Sequence, residues 1–216
     1  MKKLCIFDLD GTLVDSLVDL KESVNVILKR HSFEEKTMNQ IRSYVGNGLY
    51  KLMERSVPQS YQQDKLDQLY EDFLEYYGEH CNDHTVKYDG IEEMLKGLKK
   101  KGLLLAISSN KRNELVQKLW KEHLGQLIDL AIGEDPFRGI RKKPEKDEVE
   151  YLLNQLQITP REAVYIGDSE VDIQTAHQSG LDSISVSWGF KSRDFLEKNG
   201  ASAIADTPED LIQLLS

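Results

Sequence analysis

The stretch that decides the fold is Cys5-Ile6-Phe7-Asp8-Leu9-Asp10-Gly11-Thr12-Leu13-Val14-Asp15-Ser16, close to the start of a chain of 216 residues. Residues Leu4 to Phe7 predict a short buried strand, because the run is apolar and ends at a turn signal. Alternation along an extended chain points Asp8 and Asp10 to the same side. Since two carboxylates that close repel each other, the pair favours a bound cation, a shared proton, or both.

The composition restricts the class of protein. Hydrophobic residues make up 39% of the chain and charged residues 30%, which is typical of a soluble globular protein. The net charge of −9 argues against a nucleic-acid partner, whereas a small phosphorylated substrate needs only local positive charge. No run approaches the roughly 18 apolar residues of a membrane span, so we expect no membrane partner and a cytoplasmic location. Nothing in the sequence indicates an oligomeric state.

The segment from residue 17 to residue 85 predicts helices and no strand. Its apolar residues recur at spacings of three and four, and the clearest stripe consists of Leu66, Leu69, Tyr70, Phe73, Leu74 and Tyr77. The segment is too long for an ordinary connection between two parallel strands. We therefore expect a separate helical domain over residues 16–85, inserted into a core domain made of residues 1–15 and 86–216.

After residue 88, short apolar runs alternate with helical patterns. The predicted strands in this part of the chain are 103–107, 127–132, 163–166, 183–186 and 203–205. A regular alternation of strands and helices is typical of an α/β fold with a doubly wound parallel sheet. Ligands of such sheets bind beyond the carboxyl ends of the strands, where Asp8 and Asp10 are expected.

Two later predicted segments end in groups suited to phosphate chemistry. Ser109 and Asn110 follow the second strand, where a hydroxyl can donate to a phosphoryl oxygen, although serine is also a common helix cap. Lys143 precedes Pro144 in a basic run, and a lysine at such a place neutralises phosphate and carboxylate charge. Arg141 and Lys142 in the same run are interpreted as solvated.

A third group is the acidic turn Gly167-Asp168-Ser169-Glu170-Val171-Asp172 after the strand 163–166. Carboxylate oxygens are the ligands that Mg²⁺ prefers, and few of them suffice when substrate phosphate and water complete the coordination. The same residues also suit an acidic helix N-terminus. The turn therefore predicts either a metal-ligating pair, Asp168 and Asp172, or an ordinary first helical turn.

These motifs, taken in chain order, strongly resemble those of the haloacid dehalogenase (HAD) superfamily of phosphohydrolases. The resemblance rests on the string Phe7-Asp8-Leu9-Asp10-Gly11-Thr12, on Ser109, on Lys143-Pro144 and on the acidic turn 167–172. It implies a Rossmann-like HAD core of the doubly wound parallel-sheet type with an inserted all-helical cap domain that closes over the active site. Among subgroups the chain is most similar to phosphoglycolate phosphatase-like members.

The resemblance also implies roles for individual residues. Asp8 is the expected nucleophile, which forms an aspartyl-phosphate, and Asp10 the expected general acid and then base. Ser109 and Lys143 complete the catalytic set, and Thr12 and Asn110 are expected near the substrate. The implied cofactor is Mg²⁺, with Asp8, Asp10 (through its backbone carbonyl), Asp168 and Asp172 as the metal-binding residues. The implied partner is a small phosphorylated metabolite.

The string Ile41-Arg42-Ser43-Tyr44-Val45-Gly46-Asn47-Gly48 in the helical segment carries much of the likeness to phosphoglycolate phosphatases. Gly46, Asn47 and Gly48 are candidate substrate-binding residues, because glycines let backbone approach a ligand closely. Arg42 is either a binder of a second anion, such as a carboxylate, or an exposed helix arginine.

Other functions fit the same residues. A sugar-phosphate mutase, a nucleotidase or a pyrophosphatase shares the site, and a regulatory or binding protein on this fold needs no turnover. A dehalogenase uses the same nucleophile but has no need of Asp10 or of magnesium. His80 and His84, with Cys81 and Asp83, have a spacing that suits zinc, but the segment is better interpreted as a polar loop that returns to the core.

Overall fold

A six-stranded sheet forms the centre of the larger part of the chain in the computed structural model, which describes residues 2–61 and 63–215, with only the backbone for residues 63 and 64. The β-strands are β1 (Leu4–Phe7), β2 (Val14–Asp15), β3 (Val86–Lys87), β4 (Leu104–Arg112), β5 (Leu130–Glu134), β6 (Ala163–Gly167), β7 (Asp182–Val186) and β8 (Ile204–Ala205). The sheet has the order β5-β4-β1-β6-β7-β8 and is parallel throughout, while β2 and β3 form a separate two-stranded sheet. This is the predicted α/β fold.

The described helices alternate with the strands of the larger sheet and also form a block of their own. They are α1 (Leu17–Arg30), α2 (Met38–Tyr44), α3 (Leu49–Ser56), α4 (Gln63–His80), α5 (Ile91–Lys100), α6 (Asn113–Leu119), α7 (Asp147–Leu156), α8 (Glu170–Gln178), α9 (Arg193–Lys198) and α10 (Pro208–Leu214). The chain divides into a core unit, Met1–Val14 with Lys87–Ser216, and a helical unit, Asp15–Val86. Among the described residues, no helix combines the length and the apolar character needed to cross a membrane.

The first strand lies in the interior of the core unit because it pairs with a neighbour on each side and is apolar on both faces. All four residues of β1 are fully buried. Leu4 and Ile6 belong to a cluster that includes Val149 and Leu152 of α7. A strand that is apolar at every position suits a parallel sheet that helices cover on both faces.

The register of the sheet aligns the end of β1 with positions on its two neighbouring strands. Phe7 at the end of β1 is paired with Ile107 of β4 and with Ile166 of β6. The residues that follow each of these positions therefore emerge side by side at the carboxyl edge of the sheet. In doubly wound sheets this edge is where ligands bind.

The helical unit has an interior of its own, built from the apolar stripes of its helices. Val24 and Ile27 of α1 and Phe73 and Tyr77 of α4 are fully buried, and the rings of Phe73 and Tyr77 stack with centroids 5.4 Å apart. Buried Asp19 accepts hydrogen bonds from the backbone N–H groups of residues 84 and 85, at 2.9 and 2.8 Å. The end of the helical segment is thereby tied back to α1.

The structure differs from the sequence prediction in several places, among them the short strands β2 and β3, which were not predicted. The second core strand continues to Arg112 rather than ending at residue 107, because it pairs with β5 up to that residue after an irregularity beyond Ser109. The predicted strand 127–132 begins only at Leu130, since Gly125–Leu127 forms a 3₁₀ turn. Helix α9 was not predicted, because it has no apolar stripe. Leu196 is its only buried residue.

Candidate active site

Three buried carboxylates meet at the carboxyl edge of the sheet. Asp8 follows β1, Asp168 follows β6, and Asp172 lies in the first turn of α8. One carboxylate oxygen from each lies within 4.8 Å of the others, and the residues are 8%, 2% and 2% exposed. Since like charges so close together and so buried repel strongly, the cluster requires compensating positive charge.

Lys143 supplies part of that charge. Its Nζ atom lies 2.8 Å from Oδ1 of Asp8 and 2.7 Å from Oδ1 of Asp172. Burial lowers the pKa of Lys143, but the carboxylates of Asp172 and Asp8 outweigh it and raise that pKa well above its ordinary value. The Asn110 side chain donates to the backbone carbonyl of Lys143 at 3.3 Å, so the end of β4 supports the loop that carries the lysine.

Lys143 does not fully compensate the negative charge of the three carboxylates. Burial raises the pKa of Asp8 to about 7, Lys143 opposes the shift, and Asp172 adds to it. Burial, followed by the charges of Asp8 and Asp172, raises the pKa of Asp168 well above its ordinary value. A divalent cation would relieve this excess of negative charge. An all-oxygen, carboxylate-rich donor set fits Mg²⁺, which keeps several waters and needs few protein ligands.

Two positions beside Asp168, Gly11 and Gly189, have room for glycine only. A Cβ atom on Gly11, whose φ is +92°, or on Gly189 would lie 2.5 Å from Oδ2 of Asp168, far inside van der Waals contact. The backbone N–H of Phe190 donates to the same Oδ2 atom at 2.6 Å. The first-strand turn and the 189–190 turn after β7 therefore confine this carboxylate. The 189–190 turn was not predicted, because its only signal in the sequence is a glycine after a strand.

The two carboxylate oxygens of Asp172 make different contacts, one with Ser169 and one with Lys143. Oδ2 accepts hydrogen bonds from the side chain and the backbone N–H of Ser169, at 2.6 and 3.1 Å, which together form the capping box of α8. Oδ1 is thus directed at Lys143. This one side chain therefore caps α8 with one oxygen and pairs with Lys143 through the other.

Asp10 stands apart from the carboxylate cluster and pairs with a lysine that the sequence analysis did not single out. The Nζ atom of Lys111 lies 2.9 Å from Oδ1 of Asp10. The backbone N–H of Lys111 also donates to Oγ of Ser109 at 3.3 Å, and Ser109 is buried. The alternation of β4 was the available signal, because it points Ser109 and Lys111 to the same side once the strand is known to extend past residue 107.

Thr12 is fully buried in the first turn. Its backbone carbonyl accepts a hydrogen bond from Nε1 of Trp188 at 3.0 Å. Its hydroxyl has no hydrogen-bond partner within residues 2–61 and 63–215. A buried hydroxyl without a protein partner carries a desolvation cost, and such groups merit a functional explanation.

The candidate residues of the helical unit lie around the break between α2 and α3. Gly46 and Gly48 have φ values of +115° and +87°, which explains why glycine stands at both positions. The guanidinium of Arg55 donates to Oδ1 of Asn47 at 2.6 Å and to the carbonyl of Tyr44 at 2.7 Å. Arg42 is exposed. The structure therefore shows that Arg55, which the sequence analysis overlooked, holds this loop.

The histidines of the 80–84 segment pair with carboxylates. Nδ1 of His80 lies 2.7 Å from Asp83, and Nδ1 of His84 lies 3.0 Å from Asp19. Among the residues that the structure describes, the Asp8–Asp168–Asp172 cluster is the only group of three or more His, Cys, Asp and Glu side chains close enough to share a metal ion.

The comparison with known families agrees with this geometry. The family of haloacid dehalogenase-like hydrolases matches residues 5–186, a range that includes all three clustered carboxylates and Lys143. The chain belongs to this hydrolase family.

Individual relatives of the hydrolase are similar over nearly their whole length. A phosphoglycolate phosphatase of Colwellia psychrerythraea is 35% identical, with 98% of this chain and 96% of the relative covered. A phosphoglycolate phosphatase of Aliivibrio fischeri is 30% identical, with 99% and 96% covered. The crystal structure of a candidate phosphoglycolate phosphatase from Lactobacillus delbrueckii subsp. bulgaricus superposes with a TM-score of 0.94 at 36% identity, covering 100% of this chain and 99% of that one.

Proposed function

We propose that this hydrolase is a magnesium-dependent phosphatase that cleaves a small, phosphoglycolate-like phosphate monoester through an aspartyl-phosphate on Asp8. The observation that carries the proposal is the position of Lys143, whose Nζ atom bridges Asp8 and Asp172 beside Asp168. A carboxylate held against a lysine can act as a nucleophile while the lysine neutralises the charge of an incoming phosphoryl group.

The proposed reaction has two steps. In the first, a carboxylate oxygen of Asp8 forms a bond to phosphorus, the bond from phosphorus to the ester oxygen breaks, and Asp10 gives its proton to the departing alcohol. In the second, Asp10 takes a proton from a water molecule, whose oxygen attacks the same phosphorus and releases phosphate from Asp8. Asp10 acts as acid and then as base, and the covalent intermediate on Asp8 splits one difficult displacement into two easier ones.

The remaining residues bind and orient the substrate. Ser109, Asn110 and the partnerless Thr12 hydroxyl are proposed to donate to phosphoryl oxygens. The side chains of Asp8, Asp168 and Asp172, with the backbone carbonyl of Asp10, are the proposed magnesium-binding groups. Bound Mg²⁺ supplies positive charge for the phosphoryl oxygens and helps to orient them.

The proposed substrate combines a phosphate monoester with a second, small anionic group. Its support is the naming of the relatives as phosphoglycolate phosphatases and the chemistry of the helical unit. We propose that this unit acts as the cap and that Arg42 with Gly46, Asn47 and Gly48 selects the substrate. A guanidinium and backbone N–H groups suit a carboxylate.

The test is phosphate release from a panel of metabolite phosphates, with Mg²⁺ or with EDTA, by wild type and Asp8→Asn. Asp194→Asn is the matched control, because Asp194 is an exposed carboxylate on α9. We expect release from phosphoglycolate that requires both Mg²⁺ and Asp8. Trapping of a phosphoryl group on wild type, but not on Asp8→Asn, tests the intermediate separately.

Product analysis distinguishes the related reactions. If the phosphoryl group of a sugar phosphate moves to another position without release of inorganic phosphate, the protein is a mutase and not a phosphatase. Preferred release from nucleotides or from pyrophosphate would revise the substrate class while leaving the proposed chemistry intact. Folded protein that binds Mg²⁺ but releases phosphate from nothing on the panel would contradict the proposed function.

A further inference from the structure

A second buried acid lies behind the site and takes no part in the proposed reaction. Glu148, in the first turn of α7, is fully buried. It lies on the apolar face of its helix, next to Val149 and one turn before Leu152, where a hydrophobic residue is the default. Burying a carboxyl group among apolar side chains costs free energy unless its hydrogen bonds are satisfied.

Glu148 is tied to a small hydrogen-bonded network. Its Oε2 atom accepts a hydrogen bond from Oγ of Ser108 at 2.6 Å. The hydroxyl of Tyr165 donates to Oγ and to the backbone carbonyl of Ser108, at 3.2 and 3.3 Å. Ser108 and Tyr165 are fully buried as well. The other oxygen of Glu148, Oε1, has no hydrogen-bond partner among the residues that the structure describes.

This network joins the three elements that carry the site. Ser108 directly precedes Ser109 at the end of β4, Tyr165 lies on β6 ahead of Asp168, and Glu148 lies on the helix that follows Lys143. The Nζ atom of Lys143 lies 5.6 Å from the centre of the Tyr165 ring, a cation–π distance. The network therefore lies next to the catalytic lysine, which it contacts through the Tyr165 ring.

We propose that Glu148 is a positioning residue, which through Ser108 and Tyr165 holds Lys143 and Ser109 in place for the phosphoryl transfer; this inference rests on the proposed function. No contact with substrate is assigned to it. Glu148 is connected to Ser108 on β4 and through it to Tyr165, whose ring lies beside Lys143, so loss of the carboxyl group is expected to loosen these supports together.

The protonation state of Glu148 depends on its burial and on the charges around it. Ser108 is its hydrogen-bond partner, and the charged or titratable groups that interact with it are Lys143, Asp8, Glu134 and Tyr165. Burial raises the pKa of Glu148 to about 8, an effect that Lys143 and Ser108 oppose. At neutral pH the carboxyl group is mostly neutral, so it leaves the positive charge of Lys143 for the substrate. Ionisation above pH 8 would cancel that charge.

Glutamine is therefore the informative replacement, since it is neutral and keeps both the shape and the acceptor of Glu148. In Glu148→Leu we expect kcat to fall about 10- to 100-fold, the range seen when groups that orient catalytic residues are removed. In Glu148→Gln we expect most of kcat to return at pH 7. Glu148→Gln should also keep its activity between pH 8 and 9.5, where wild type declines.

Two further variants keep the test decisive. Glu148→Leu removes the acceptor for the hydrogen bond that the Ser108 hydroxyl donates, so the double variant Ser108→Ala/Glu148→Leu removes both groups and limits the loss of stability. Glu150→Leu is the matched control, because Glu150 is an exposed carboxylate on the same helix, paired with Lys146. We expect the double variant to fold and to remain impaired, and Glu150→Leu to match wild type.

The outcomes separate this inference from the proposed function. Wild-type turnover that requires Asp8 but stays within twofold in folded Glu148→Leu or in the double variant would overturn the positioning role alone. So would a Glu148→Gln variant as impaired at pH 7 as Glu148→Leu, since a neutral isostere must rescue a positioning group. Absence of any wild-type turnover would overturn both proposals.

Discussion

The Nζ atom of Lys111 lies 2.9 Å from Oδ1 of Asp10, and the lysine side chain is only 1% exposed, whereas that of Asp10 is 19% exposed. A buried ammonium group requires a hydrogen-bonded partner of opposite charge. Because Lys111 is the more buried of the two, its position is the more constrained. We infer that Lys111 holds the carboxylate of Asp10 at the rim of the site.

Replacement of Lys111 by methionine should impair turnover more than folding. Methionine fills a similar volume without charge, so the main loss is the fixed position of the proposed acid and base. We expect kcat to fall about 10- to 100-fold. Steady-state kinetics with the best substrate of the panel measures this, and Lys121→Met, at an exposed position, is the control. A folded Lys111→Met enzyme with unchanged kcat would show that Asp10 needs no such partner.

The carboxylate cluster predicts a specific effect of removing one proposed magnesium ligand. In Asp168→Ala we expect the Mg²⁺ concentration for half-maximal activity to rise by at least about tenfold, since even indirect supports of metal ligands cost that much. Titration of EDTA-treated enzyme with MgCl₂ measures the change. Asp194→Asn should keep the wild-type requirement. An unchanged requirement in Asp168→Ala would place the metal elsewhere.

The buried carboxyl group of Glu148 predicts a pH dependence of stability. Its pKa is raised from 4.5 to about 8 in the folded protein. Between these values the folded state keeps a proton that the unfolded state has released, so the free energy of unfolding falls as the pH rises. Because glutamine does not titrate, the stability of Glu148→Gln relative to wild type should increase from pH 5 to pH 8, by at most about 1.4 kcal/mol per pH unit.

Urea unfolding in EDTA at pH 5, 6, 7 and 8 measures this difference. Both proteins contain the same cluster of aspartates, so the titration of that cluster cancels in the comparison. Glu150→Gln, an exposed change on the same helix, provides the reference series. A difference between Glu148→Gln and wild type that is flat across the four pH values would mean that Glu148 is ionised in the folded protein throughout this range.

The contact between Arg55 and Asn47 predicts coupled effects on substrate recognition. Arg55→Met removes the donor to Oδ1 of Asn47 and to the carbonyl of Tyr44. We expect KM for the preferred substrate to rise about tenfold, equivalent to about 1.4 kcal/mol, with a smaller change in kcat, because the proposed loop acts in binding.

A double-mutant cycle checks this coupling. Asn47→Ala should also raise KM, and the double variant should raise it by less than the product of the two single effects, because the two side chains share one contact. Lys51→Met on the same helix is the control, since Lys51 pairs with Glu54 at the surface. Fully additive effects on KM would show that Arg55 and Asn47 act independently.

Much of the fold was predictable because its signals are local. The apolar run of β1, the stripe of α4 and the capping residues of α10 each lie within a few neighbouring residues, and the structure forms an element at each place. The start of β5, the length of β4 and the existence of α9 were not predictable, since they depend on partner strands or on a single buried side chain.

The site shows the same division. The motif residues Asp8, Lys143, Asp168 and Asp172 could be singled out from strand ends and from resemblance, and the structure brings these four together. Lys111 and Arg55 gave no comparable signal, because an isolated basic residue in a helix or strand is usually solvated. Their importance comes from contacts with Asp10 and Asn47 that only the folded chain creates.

The sequence by itself therefore determined the fold class, the order of the elements and the family of the hydrolase, because apolar periodicity and motif spacing are properties of the chain. The tertiary structure alone decided which charges meet. The parallel register of β1, β4 and β6 brings distant residues to one edge, and burial there couples Asp8 to Lys143, Asp10 to Lys111 and Glu148 to Ser108. Such couplings depend on distance and on exclusion of water, neither of which is written in the order of the residues.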